Sequence, residues 1–417
     1  MDFPTATAAS RLASLDVVRG VAVLGILLLN ILAFAMPEAA YVNPRAYGGW
    51  HGADLVTWAA NFILFDGRMR GLFSFLFGAS TLLVIERAET SGRDPARVHY
   101  NRMVWLLVFG LAHFFLVWHG DILAHYALVG MIAYAMRAMP VPRLLVLGTM
   151  LALASAVLCA AIPLNIIQLQ AENPGSAALQ GYAQSFGVPL PGDLVKDLAL
   201  HRGGYGALLA DRSRDAGGTL FGLSLFFGPE TLGYMLFGMA ALRSGMLRGE
   251  WAPDRYRRWL LICWSIALPA YAVLAWWQWS SGFDIRVIAA MMPLTALCRP
   301  PMIAGWICLI LLLARPGGAL TTLLAAAGRM AFTNYLATSL ICTTLFYGYG
   351  LGWYGHLSRW QLYPVVFTIW AAILICSRLW LAHFRFGPFE WLWRSLARGS
   401  FQPIRGSALG NNASASQ

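Results

Sequence analysis

Charge is scarce in this 417-residue chain: acidic and basic residues make up 12% of it, while 59% is apolar. An ordinary soluble domain carries roughly a quarter charged residues, so that class is excluded. Lysine is almost missing, Lys196 being the only one, and the net charge of +11 therefore comes from arginine. No basic strip with interleaved exposed aromatics accompanies that charge, which argues against a nucleic-acid partner. The arginines lie between apolar runs, where they orient helices. Cysteine is sparse and solitary. Cys159, Cys263, Cys298, Cys308, Cys342 and Cys376 fall singly in or near apolar runs with no C-x-x-C, so neither a disulfide nor a metal site is expected. No Walker loop, G-x-G-x-x-G, H-E-x-x-H or ordered Ser-His-Asp set stands out, and the common soluble-enzyme signatures do not apply.

What the chain has in abundance is long apolar segments. Spans fall at about 17–36, 71–87, 102–119, 121–139, 143–168, 219–242, 258–280, 286–314, 319–347 and 361–383. The expected fold is all-α, a polytopic integral membrane helix bundle of about ten transmembrane helices. "ADLVTWAANFILF", 53–65, is too short to span and reads as a broken or re-entrant helix before the second span. Arginines crowd the loops on one side, so the positive-inside rule puts both termini in the cytoplasm. Residues 1–405 read as one integral membrane domain. Its longest loop, 169–218, lies outside with a short amphipathic helix near 193–211, as a lid or a passive connector. The tail 406–417 reads as disordered.

An ionisable side chain at membrane depth is costly unless paired or facing water, and so marks a candidate site. In "SLDVVRGVAVLGILLLNI", Asp16 and Arg19 stand three apart on one helical face, with Asn30 deeper. They form either a cap and pair at the helix entrance or an Arg19 site for a phosphate-bearing ligand. "FDGRMRGLFSFLFGAS" sets Asp66, Arg68 and Arg70 around a glycine. These arginines either snorkel or hold an anion at the first turn of a broken helix. In "HGDILAHYALVG", Asp121 and His125 are one helical turn apart, the spacing of an oriented general base. "FFGPETLGYMLFG" and "CRPPMIAG" break spans at Gly228-Pro229 and Pro300-Pro301, and Glu230 and Arg299 beside them are a candidate pair across the bundle. "GRMAFTNYLATS" adds Arg329 and Asn334, and Arg378 lies in the last span.

Together "RLASLDVVRGVAVLGILLLNI", "GRMRGLFSFLFGAS", "GDILAHYALVG", "GRMAFTNYLATSLICTTLFYGYGLGWYG" and "FGPFEWLWRSL" resemble the YeiB-like family, domain of unknown function 418. The resemblance implies a multi-pass protein of the bacterial cytoplasmic (inner) membrane, surrounded by lipid. L-D-x-x-R-G at the first span is also similar to the transmembrane acyltransferases, including the heparan-glucosaminide acetyltransferase-like and type-3 groups. That likeness implies a role for Arg19 in handling acyl-CoA at the cytoplasmic face, and a histidine that relays the acyl group. Asn30 stands where type-3 members tend to carry that histidine, and His51 in "GGWHGADL" lies in the loop where the heparan-type group carries one. The expected activity is that of an acyltransferase with acyl-CoA as co-substrate, no permanently bound cofactor, and a small-molecule, lipid or glycan acceptor. The base or acyl carrier would be His125 with Asp121, or His51. A secondary transporter of a small anionic solute is the alternative, and a non-catalytic scaffold a further one.

Overall fold

A computed structural model describes residues 8–214 and 216–405; the tail expected to be disordered lies outside them. Seventeen α-helices and one 3-10 turn account for its elements, with no strand among the described residues. In chain order they begin with α1 (Ala8–Ala35), α2 (Glu38–Val42), α3 (Gly52–Leu64), α4 (Arg68–Thr90), α5 (Pro95–Leu116), α6 (Leu123–Ala133) and α7 (Val141–Glu172). Three short helices follow, α8 (Ala177–Ser185), α9 (Asp193–His201) and α10 (Tyr205–Arg214). The rest are α11 (Ala216–Arg243), α12 (Pro253–Ser280), α13 (Ile285–Leu313), α14 (Ala319–Arg329), α15 (Ala331–Phe346), α16 (Leu362–His383) and α17 (Pro388–Arg398).

Among the described residues, seven stretches are long and apolar enough to cross a membrane, fewer than the ten spans expected. The three others differ for separate reasons. Helix α5 has the length but carries Arg97, His99, Asn101 and Arg102 in its first two turns. The apolar stretch Leu123–Met136 is short, and the expected span 319–347 is divided at Met330 into α14 and α15. The helix expected near 193–211 is likewise divided, into α9 and α10. Conversely, α11 runs on through Pro229 and α13 through Pro300 and Pro301, where breaks were expected. A proline removes one backbone donor and crowds the preceding turn, yet neighbouring helices can hold a helix together across it. Met302 and Ile303, just past the proline pair, are fully buried.

Helices α3 and α4 form one apolar stretch, Gly52–Thr90, interrupted at Phe65–Gly67. Gly67 has φ +69°, a left-handed conformation that lets the chain turn without a Cβ clash. The Asn61 carbonyl accepts from both Phe65 and Asp66 N–H, and Trp306 Nε1–H donates to the orphaned Leu64 carbonyl at 2.9 Å. The break is deep: Gly25, midway along the apolar stretch Ala13–Ala35, packs against Met69 just after it. Small residues bring the other helices close. Gly20 and Gly328 seat α1 on α14, and Gly78 and Gly238 seat α4 on α11. The largest apolar core lies between α1, α4, α6, α11 and α13.

Candidate functional site

Two groups of arginines occupy different depths. The deeper one surrounds the break between α3 and α4. Glu230, on α11, accepts from Arg70 Nη2 at 2.8 Å and from Tyr234 OH at 2.9 Å, and also from Arg299 Nη1. Arg299 Nη2 donates in turn to Thr295 Oγ1 at 3.0 Å. The sequence therefore pointed to a real pair, though Arg70 shares it. Glu230 is 3% exposed, against 28% for Arg70 and 13% for Arg299, so the carboxylate is the buried hub. Arg68, 1% exposed, lies with its guanidinium carbon 3.3 Å from the Tyr271 ring centroid and donates Nη1–H to the Asp66 carbonyl. Arg70 and Arg299 thus share the Glu230 carboxylate, whereas Arg68 has the Asp66 backbone carbonyl and the Tyr271 ring beside it. Buried charge is tolerable when such partners surround it.

His125 borders this network but not in the expected company. Its Nε2 lies 2.9 Å from Thr231 Oγ1 and its Nδ1 3.4 Å from Ser224 Oγ. Asp121 instead lies 2.9 Å from His113 Nδ1 and accepts from Ala124 N–H at 2.9 Å. The one-turn rule fails because α6 begins only at Leu123: Asp121 sits in the preceding turn, and its carboxylate points back to α5. Asp121 and His125 are therefore not a dyad.

The second group lies at the end of the bundle where α1 and α5 begin and α4 ends. Asp16 and Arg19 pair at 2.8 Å, and Arg19 Nη2 donates to Ser80 Oγ at 3.0 Å. Because α1 starts at Ala8, Asp16 stands two turns inside the helix and does not cap its first turn. The pair lines a cavity of about 330 Å³ with Arg87, Arg102, Arg329, Arg385 and Arg394. A second cavity of about 710 Å³ shares Val84, Arg87, Arg102 and Arg394 with it, and adds Arg93, Arg97 and Arg398.

Each acid in these walls already has a partner. Asp16 serves Arg19, and Asp94 accepts from Ala96 N–H as the N-cap of α5. Glu390 accepts from Phe332 N–H at 2.7 Å, Thr333 N–H at 3.1 Å and Thr333 Oγ1 at 2.5 Å, capping α15. That cap, with Trp393 Nε1–H donating to the Arg102 carbonyl at 2.9 Å, lays α17 over the cavity as a roof. Burial, then the neighbouring Arg398 and Arg87, hold the Arg394 guanidinium below its ordinary range, a sign of crowded positive charge. Inward the wall turns apolar, through Phe73, Leu76, Phe77, Met103, Leu106 and Leu123, and ends at Tyr126 and Tyr335. The Tyr126 hydroxyl lies 2.9 Å from Ser74 Oγ and donates to the Arg70 carbonyl at 3.0 Å. One side chain therefore joins the cavity's inner end to the deep network.

Of the other expected residues, Arg329 lines the cavity, while Arg378 is exposed outside it. Asn334 donates to the Ala327 carbonyl and to Ser377 Oγ, both at 3.0 Å, which ties α14, α15 and α16 together. His51 is exposed and packs, tilted, against Trp50, and Asn30 is half-buried; neither lines the cavity. Sequence reasoning missed Arg87, Arg102 and Arg394 as a group, having read arginines at loops as orientation signals. It also missed His99, which lines the cavity with Nε2 3.0 Å from the Gly130 carbonyl.

Comparison with known proteins adds the family. The Escherichia coli K12 protein YeiB, described as uncharacterized, is 36% identical over 394 residues, covering 93% of this chain and 96% of that one. The uncharacterized YxaH of Bacillus subtilis 168 is 32% identical over 411 residues, covering 94% and 96%. The profile described as "Protein of unknown function (DUF418)" matches residues 241–400. The chain belongs to the DUF418 family. No solved structure matches it. The DUF418 segment holds α12 to α17, and so brings Arg299 to the deep network and Arg329, Arg385 and Arg394 to the cavity. The remaining walls of the DUF418 protein come from α1, α4, α5 and α6. With its apolar helices, it is an integral membrane protein.

Proposed function

We propose that this protein is an acyltransferase-like enzyme of a bacterial inner membrane that receives acyl-CoA in the arginine-lined cavity. The positive-inside rule turns that cavity to the cytoplasm, where acyl-CoA is found. The observation that carries the reading is one wall with two characters: arginines that outnumber their acidic neighbours, then an apolar inner end. Guanidinium groups suit the phosphates of coenzyme A, and the apolar end suits an acyl arm. The likeness of L-D-x-x-R-G to the transmembrane acyltransferases supports the same reading. In this reading Arg87, Arg102 and Arg394 hold phosphate oxygens while Arg19, fixed by Asp16 and Ser80, positions the thioester arm. A base takes the proton of an acceptor hydroxyl or amine, the acceptor attacks the acyl carbonyl, and the coenzyme A thiolate leaves. His125, beside Tyr126, is the base candidate, and a lipid or glycan is the acceptor class. The test is equilibrium binding of acetyl-CoA to the purified chain: Arg19→Ala weakens it, and unchanged binding removes Arg19 from the site.

A second reading has its own observation. A span broken deep in the bundle, with Arg70, Glu230 and Arg299 at the break, also suits a carrier for a small anionic solute. Proton-coupled uptake into vesicles that Glu230→Gln leaves intact would remove the coupling role from Glu230.

A further inference from the structure

Beneath α10, at the end of the bundle opposite the arginine-lined cavity, three buried side chains hold donors with nothing to donate to. Trp118 Nε1, Arg212 Nε and Nη2, and the Tyr347 hydroxyl have no hydrogen-bond partner. All three residues are more than nine-tenths buried, Arg212 at 6% exposed. Buried polar groups are rarely left this way, so a group of them calls for a ligand. Arg212 Nη1 donates to the Phe115 carbonyl at 3.3 Å, which anchors the guanidinium while its Nε/Nη2 edge stays unpartnered. No ion pair is recorded for it among the described residues. Phe115 is thirteen residues beyond Arg102 on α5, about 20 Å along the helix, which separates this place from the other cavity.

The elements that carry these donors are pinned together. Tyr205 OH donates to the Leu116 carbonyl at 2.7 Å and holds α10 over the end of α5. Tyr347 sits at the C-cap of α15, edge-on to His201 at 5.0 Å between ring centroids. Trp118 and His119 follow directly from α5. Asp197 is spoken for: it lies 2.6 Å from His201 Nδ1 and accepts from Tyr354 OH at 2.9 Å and Glu38 N–H at 3.1 Å. Burial, then the charges of His201 and Arg212, push the His119 imidazole down to about 4, so it is neutral near pH 7. Arg212 also acts on the Tyr347 phenol, opposing the upward push of burial.

We propose that Arg212, Trp118 and Tyr347 form a binding site for a phosphate group. The set offers donors in several directions, which suits a tetrahedral oxyanion with several acceptor oxygens. The unpartnered Nε/Nη2 edge of Arg212 takes two of those oxygens, and Trp118 and Tyr347 take the others. A soluble phosphate and a phosphate-bearing lipid head group present the same chemistry, and the experiment separates them. The site does not depend on the acyltransferase reading.

Hydrogen–deuterium exchange on the full chain in detergent micelles reads the two ends separately. One arm adds inorganic phosphate, the other phosphatidic acid in mixed micelles. Slower exchange at 112–122, 205–214 and 342–354 is the expected result in at least one arm, and the arm that gives it identifies the source. Arg212→Lys keeps the charge and loses the two-pronged edge, so its titration midpoint is expected to rise about tenfold. Unliganded thermal unfolding of this variant, measured beside it, checks the fold, and Tyr347→Phe gives a second, milder loss from a near-isosteric change. Protection in neither arm, protection confined to 87–102 and 388–398, or equal midpoints in wild type and both variants would overturn the proposal.

Discussion

The two arginine groups differ in what stands next to them. Around the helix break, Arg70 and Arg299 close on one buried carboxylate, with Tyr234 completing it. In the cavity, Arg87, Arg102 and Arg394 face one another while Asp94 and Glu390 cap helices. The first arrangement closes on its own carboxylate and ties α4, α11 and α13 together. The second keeps its charge available to an anion from outside. Arginine count alone does not separate a structural network from a binding site; the fate of each neighbouring carboxylate does.

The largest expected effect comes from removing the hub. Glu230→Gln leaves two guanidinium groups buried without their counter-charge, and thermal unfolding in detergent should show a loss of about 3–5 kcal/mol. A Glu230→Gln protein as stable as wild type would erase the distinction between the two groups. Next comes the cavity. Arg87 is exposed and lines both of its compartments, so Arg87→Gln should leave unfolding nearly unchanged while acetyl-CoA affinity drops about tenfold. Tyr126→Phe sharpens the boundary between the two regions, since it removes the contacts to Ser74 and the Arg70 carbonyl but keeps the ring. Its expected cost is about 1 kcal/mol by the same unfolding measurement.

The smallest effect lies outside the spans. Burial raises the Asp197 carboxyl, but the hydrogen bond and charge of His201, with the Glu38 N–H and Tyr354, outweigh it and hold the group below its ordinary value of 3.8. A carboxyl depressed in the folded state adds stability above its unfolded value, lost as pH falls through the folded one. Exchange at α9 should therefore speed up below about pH 4, and Asp197→Asn should remove that dependence.

Much of this arrangement could be read from the chain. The spacing of Asp16 and Arg19, the glycine-flanked arginines at 66–71 and the Glu230–Arg299 pairing follow from helical periodicity and the cost of buried charge. What periodicity could not supply was where each helix starts. Asp121 and His125 look like a dyad only if both lie on one helix, and the chain enters α6 two residues after Asp121. His113, the true partner, belongs to the preceding helix. Met330 and the prolines were misjudged for a related reason: tertiary packing decides whether a helix survives a weak point. The cavity stayed hidden because its arginines come from α1, α4, α5, α14 and α17, which only the fold brings together. The amphipathic segment "FEWLWRSL" was the available signal, since Trp393 and Arg394 on it face Arg102 and the cavity.

Electron cryomicroscopy of the chain in lipid nanodiscs with acetyl-CoA tests the central claim most directly. The account requires the phosphates to lie against Arg87, Arg102 and Arg394, with the thioester directed along the apolar wall toward Tyr126. Phosphates seated instead on Arg68 and Arg299, or a cavity that stays empty at saturating acetyl-CoA, would contradict it.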